Sequence, residues 1–419
     1  MKNLLQSLLL FFLFISFTAS SSIDENEKFL SFLEKEWQWE LAQNPVYATA
    51  MGVKGFETQW PDNSLKGIKL REAHIQDSFV ELKKFDPNSL NKTNQLNLRL
   101  YTQLTQTALS ISEYNRYLFP FNHRGGVQLA HEAVESLPLN TAEDYRFWIE
   151  RLKNLDKRIE RTISVARLGL EKNYKAPRVL MERVYRQIKI QSKQNIEDNP
   201  FYKVFKELPS TIPLEEQKAL RKDARKTIKE EIIPSYKLLE DFFKTEYLPQ
   251  TRLTVGLYDT PKCKELYEQL AKSFTTTNLT PKEIHDIGLG EVARIRGEME
   301  EVIKEVKFEG TFKEFLVFLR EDKRFYYDTA DELFEGYLAV SKRIDPEIVA
   351  LFGKLPRTPY GLRPIPMESA PDTTTAYYMP PAPGGFRAGY YYVNLYKPET
   401  RPKFEMEVLS VHELSLINI

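Results

Sequence analysis

Residues 280–302 read TPKEIHDIGLGEVARIRGEMEEV, and the helical character of the chain is clearest here. Thr280 supplies the side-chain oxygen that a helix N-terminus needs. Pro281 fits the first turn, where no amide hydrogen is required, and Glu283 can reach back to the cap amide. The helix started in this way carries Ile287, Val292, Ile295, Met299 and Val302 at spacings that predict a largely inward face. A second helix follows Thr311, because Phe312, Phe315, Leu316 and Leu319 repeat at three and four residues.

Moving toward the N-terminus, the same periodicity recurs. Thr141 with Asp144 marks a helix start, and Leu155, Ile159, Thr162 and Ile163 then fall on one side among many charges. Further helices are expected around 179–193, 215–245 and 262–273. Leu100, Leu104, Leu109, Ile111 and Tyr114 fit a helical region more loosely, before Phe119-Pro120 breaks it. Phe29, Phe32, Leu33 and Trp37 predict a first amphipathic helix ending before Asn44-Pro45.

Moving toward the C-terminus, the texture changes at Pro356. PRTPYGLRPIP is proline-rich and extended, and AYYMPPAPGGFRAGYYYVNLY reads as two short strands joined across Pro380 to Ala388. Phe404, Val408 and Val411 predict a last helix. The expectation is a mostly α protein with a short β-hairpin before that helix: residues 21–419 as one predominantly helical domain, with the strand-rich segment at 373–396.

Residues 1–20 read as an export signal, with Lys2, an apolar core from Leu8 to Phe14, and the small residues Thr18, Ala19 and Ser20 for cleavage. The apolar run is too short for a membrane span. A periplasmic or secreted protein is expected, with no stable span after signal cleavage; the competing reading is an uncleaved membrane anchor. Cys263 is the only cysteine, so the core holds by packing without intramolecular disulfides. The 59 Lys and Arg residues balance 59 Asp and Glu and are dispersed, which argues against nucleic acid as a partner.

The last helix ends in FEMEVLSVHELSLINI, residues 404–419. His412-Glu413 begins like the H-E-x-x-H helix of zinc hydrolases, in which two imidazoles one turn apart hold the metal and the glutamate takes a proton from its bound water. His412 is then a metal ligand and Glu413 the catalytic base, but Leu416 stands where the second histidine belongs. The competing reading is a pair of ordinary helix residues.

The remaining histidines are His74, His123, His131 and His285. His285, near Glu291 and Glu298, is the candidate auxiliary residue, against a structural histidine. His123 beside Arg124-Gly125-Gly126 offers an anion-binding turn, against a plain loop. The strand Tyr390 to Leu395 is a candidate substrate strand, able to hold an extended peptide through its backbone, with Tyr390, Tyr391, Tyr392 and Asn394 beside the groove. The alternative is an aromatic strand packed into the core.

The ordered segments SFTTTNLTPKEIHDIGLGEVARIRGEME, FLVFLREDKRFYY, LFGKLPRTPYGLRPIP, TTTAYY, GYYYVNLY and EVLSVHE together resemble the bacterial family called domain of unknown function 885, over about residues 25 to 413. The resemblance implies a large multi-helical scaffold similar to gluzincin-type zinc peptidases, exported and acting on peptides. His412 matches the family's first histidine and Glu413 its catalytic glutamate. The family helix continues to Pro-Gly-His-His and then to helices carrying an acidic ligand. Here Leu416, Ile417, Asn418 and Ile419 occupy the four positions, and Arg387-Ala388-Gly389 replaces Arg-Pro-Gly.

The resemblance thus implies zinc for the complete site, with none held tightly by this chain. The chain is expected to be a C-terminally truncated peptidase or amide hydrolase, inactive as it stands, with apolar surfaces left uncovered. The alternative is a noncatalytic exported peptide-binding protein.

Overall fold

The structure, a computed structural model, describes residues 24–415 apart from Gln194 and residues 382–386. The export segment read over residues 1–20 lies outside the described residues, as do Leu416, Ile417, Asn418 and Ile419.

The N-terminal helices are α1 (Glu25–Gln43), α2 (Pro45–Ala50), α3 (Leu65–Leu82) and α4 (Lys92–Ser112). Phe29 and Phe32 of α1 pack with Leu82 and Leu98 around a small core of their own. Leu100 and Leu104 face solvent, while Leu98 and Thr105 turn inward. With polar and apolar residues alternating on several faces of α4, the sequence pattern does not single out the inner one.

The largest core follows. It is built from α5 (Ala142–Lys153), α6 (Leu155–Glu171), α7 (Arg178–Gln191), the single turn α8 (Lys203–Lys206), α9 (Leu214–Thr227) and α10 (Ile233–Phe242). Thr141 and Asp144 form the expected reciprocal cap of α5. Trp148, Leu152, Ile159, Val184, Ile188, Phe201, Tyr236 and Phe243 meet at the centre. Wider π-turns, Ile228–Ile232 and Phe243–Tyr247, flank α10. Each precedes or spans the carbonyl that Pro234 or Pro249 leaves without an amide partner, so the helix widens there instead of breaking.

Three helices then start on reciprocal Thr/Glu caps: α12 (Pro281–Glu305) at Thr280, α13 (Phe312–Glu321) at Thr311, and α14 (Ala330–Leu351) at Thr329; α11 (Cys263–Thr275) precedes them. The inward face expected for α12 is corrected. Ile287 is 54% exposed and Val292 67%, Ile295 and Val302 are also exposed, and the buried residue of the helix is Ile303. The helix meets α11 and α13. Its apolar stripe has the right period but no element over it among the described residues.

A three-stranded sheet follows, ordered β1 (Tyr360–Pro364), β3 (Gly389–Val393), β2 (Ala376–Met379). The antiparallel β2–β3 pair is the expected hairpin, and β1 joins β3 in parallel. Tyr391 and Val393 face α14 and α15 (Lys403–Ser415), packing with Leu333, Tyr337, Met406 and Leu414. Tyr390 and Tyr392 face the other way, toward Ile365 and Ala370. The fold is mostly α and multi-helical with this one small sheet.

Candidate functional site

Helix α15 presents Met406, Ser410, Glu413 and Leu414 inward and leaves Phe404, Val408 and Val411 exposed. Glu413 therefore belongs to the face that meets the sheet, and it is only 7% exposed. Strand β2 pairs with β3 along one side and forms the sheet margin on the other. Such a margin leaves backbone donors free. The Tyr378 N–H uses that freedom to donate to the Glu413 carboxylate.

Burial pushes the Glu413 carboxyl above the usual range, while the charge of His412 and the Tyr378 N–H pull it partly back. A carboxyl so placed holds its proton more tightly than an exposed glutamate, as a proton-transferring group requires. Helix and sheet are joined again one turn earlier, where the hydroxyls of Tyr391 and Ser410 lie 3.4 Å apart, both buried. The Tyr337 ring stands perpendicular to that of Tyr391 at 5.9 Å. Gly389 has a specific steric role, since a Cβ there would collide with the Tyr378 hydroxyl.

His412 points away from this contact and is exposed on the outer side of α15. Among the described residues, no three His, Cys, Asp or Glu side chains converge as metal ligands. A catalytic zinc takes three protein ligands, so this donor set does not fit the ion. His285 lies on the exposed α12, where Arg294 pairs with Glu291 at 2.7 Å and Glu298 at 2.6 Å. The two carboxylates read with His285, Glu291 and Glu298, are engaged within their own helix.

Strand β3 occupies the middle of the sheet, and Tyr390 to Val393 are matched by β1 on one side and β2 on the other. The reading of this strand as one that pairs with an extended peptide is corrected by that position, because both of its edges are used. Tyr391 and Tyr392 are buried, and Tyr390 is partly so. Asn394 is structural: its Nδ2 donates to the Ala370 and Thr374 carbonyls at 2.8 and 3.0 Å, and its Oδ1 accepts from the Tyr396 amide at 3.0 Å. Near His123, the turn is fastened from within, with Gln128 Nε2 donating to the Asn122 and Gly125 carbonyls and Gln187 Nε2 to that of His123.

Tyr378 and Ser410 escaped the sequence reading, and Gly389 entered it only as part of a motif. Their importance comes from the side of α15 that meets β2, and periodicity does not report that. A cleft of about 160 Å³ also opens between α14 and α15, lined by Val340, Ile344, Ile348, Leu351 and Val411 with Ser415.

A mostly helical scaffold with a buried helix glutamate against the margin of a small sheet is the class that fold and site define. The chain belongs to the family described as bacterial protein of unknown function (DUF885), whose model matches residues 45–415. A comparison with curated proteins gives no match. A solved structure described as "the putative lipoprotein from Colwellia psychrerythraea" has the same fold, with a TM-score of 0.84 and 22% sequence identity over 93% of this chain and 71% of that one. No helix among the described residues is long and apolar enough to cross a membrane.

Proposed function

We propose that the chain is an exported member of a family of zinc-dependent peptidases or amide hydrolases and that, with no three metal-ligating side chains converging among the described residues, it does not turn over peptide on its own. The observation that carries this reading is Glu413. It is buried against β2, receives the Tyr378 N–H, and has its carboxyl raised by desolvation, directly beside a solvent-facing His412. In this reading His412 would supply one metal ligand and Glu413 the base. The apolar core of residues 8–14 and the lipoprotein description of the Colwellia relative both support export.

The test is zinc content and peptide hydrolysis of the purified protein, alone and as Glu413→Gln. Substoichiometric zinc with no Glu413-dependent turnover is the expected result. One zinc per chain with hydrolysis lost in Glu413→Gln would overturn the inactive assignment.

The second reading is a noncatalytic peptide-binding protein. It is favoured by the sheet face turned away from α15, which carries arginine and tyrosine groups without ion-pair partners among the described residues.

A further inference from the structure

The parallel pairing of β1 with β3 sets Arg363 beside Tyr392, and the antiparallel pairing of β2 sets Tyr377 on its other side. All three lie on the sheet face opposite α14 and α15. The Arg363 guanidinium sits 3.7 Å from the centroid of the Tyr390 ring, a contact that orients the cation without neutralising it. The groups acting on Arg363 are the tyrosines Tyr390 and Tyr392, with no carboxylate among them. Arg387, just before β3, donates through Nη1 to the Ala388 carbonyl at 3.3 Å, while its buried Nε has no partner.

Between these groups lies Tyr392, only 1% exposed. Its hydroxyl lies within reach of the Arg363 guanidinium, and the charges of both Arg363 and Arg387 act on it. The Tyr377 ring stacks on that of Tyr392 at 4.8 Å with planes 14° apart, and so holds the hydroxyl in place. Glu135 acts on the same hydroxyl in the opposite sense but forms no ion pair with either arginine among the described residues. Two guanidiniums thus converge on one buried hydroxyl, and among the described residues neither is paired with a carboxylate.

We infer that Arg363, Tyr392 and Arg387 form a subsite for a peptide carboxylate. A guanidinium presents a planar fork of donors that matches the two oxygens of a carboxylate, and a tyrosine hydroxyl adds a third donor. The Tyr390 and Tyr377 rings fix Arg363 and Tyr392 beforehand, so little side-chain freedom is lost when the anion arrives. The peptide source of the carboxylate rests on the peptide reading above; the anion subsite itself does not.

The test is calorimetric titration of the full chain with acetyl-trialanine, acetyl-trialanine amide, acetyl-Ala-Glu-Ala amide, succinate and inorganic phosphate. Thermal unfolding of every variant serves as a check on folding. Acetyl-trialanine is expected to bind about tenfold or more tightly than its amide. Arg363→Gln, Arg387→Gln and Tyr392→Phe should each shrink that ratio toward one, with Arg363→Lys failing to restore it. Binding of acetyl-Ala-Glu-Ala amide in place of acetyl-trialanine would keep the carboxylate subsite and assign it to an acidic side chain. If neither peptide acid binds but succinate does so through Arg363, the subsite stands and the peptide reading falls. Equal binding of acid and amide overturns the subsite while leaving the peptide reading intact. Binding of phosphate alone, or of none of the probes, overturns it as well. Should Arg363→Gln fail to fold, Arg387→Gln and Tyr392→Phe decide the question.

Discussion

Glu413 and His131 are both buried titratable residues, yet they set opposite slopes on stability against pH. The folded-state carboxyl of Glu413 lies above its ordinary value of 4.5, so its acid form is the one the fold prefers. Its contribution is therefore greatest below pH 4.5 and is lost as pH rises through the folded-state value. Glu413→Gln should flatten this slope and raise Tm at pH 7 by about 1 °C, vanishing at acid pH, as thermal scans from pH 4 to 8 would show. The imidazole of His131 is driven down from 6.5 to about 4 by desolvation, and its Nδ1 lies 2.8 Å from Gln191 Nε2. Here the neutral form is preferred, so stability is complete above 6.5 and falls as the pH drops toward 4. The loss is about 3 kcal/mol, and urea midpoints in His131→Gln should lose that dependence even if their baseline is lower. His131 and Glu413 are visible in the sequence as residue types. Their burial comes from Gln191, Phe201 and Tyr378, which lie far away along the chain, and no local pattern reports it.

Elements differ in how much of their stability comes from packing, and their caps and glycines make the difference measurable. Helix α12 begins at a Thr280–Glu283 capping box and carries the ion pairs Lys282–Asp286, Arg296–Glu300 and Lys304–Glu301, all local to one helix. Thr280→Ala should weaken it by about 1 kcal/mol. Because so little of α12 is buried, the effect should appear as faster amide exchange in its first turns with Tm nearly unchanged. Thr329→Ala removes the equivalent cap from α14, whose Leu333, Tyr337 and Val340 are core residues, so the same loss should lower the global unfolding midpoint. Close approach gives a sharper case in α6. A Cβ on Gly169 would run into the Leu118 carbonyl oxygen, which as backbone cannot swing aside. Gly169→Ala should cost about 2–3 kcal/mol in urea unfolding. The caps at Thr141 and Thr280 were legible because their partners lie three residues away, whereas the helix after Thr311 was read from its apolar period. Strand β1 was not, since its pairing depends on β3, and β3 follows only after the whole of β2.

At the scale of the molecule, the apolar surface is unevenly covered. The central helices close around Trp148, Phe201 and Tyr236, and the sheet closes against α14 and α15. By contrast α12 turns Ile287, Leu289, Val292 and Ile295 to solvent, and Val408 of α15 is 75% exposed. Sequence periodicity gave a helix starting at Pro281 with apolar residues as far as Val302 but could not say what covers its apolar stripe, because a period of 3.6 records a face and not a neighbour. Formal charge is zero with a pI near 7.0, so charge repulsion gives little protection against association through such a stripe at neutral pH. Replacing Val292 and Ile295 with lysine should therefore lower dye binding to apolar surface and shift sedimentation toward the monomer. Tm should stay within about 1 °C, since no core contact is removed. Adding the same two charges on exposed α4 positions, Gln103→Lys with Gln106→Lys, separates charge from surface apolarity. The α12 pair should suppress association well beyond the α4 pair. Equal suppression by both would show that net charge, and not the apolar face of α12, governs self-association, and a fall of several degrees in Tm would show that the face is packed in solution.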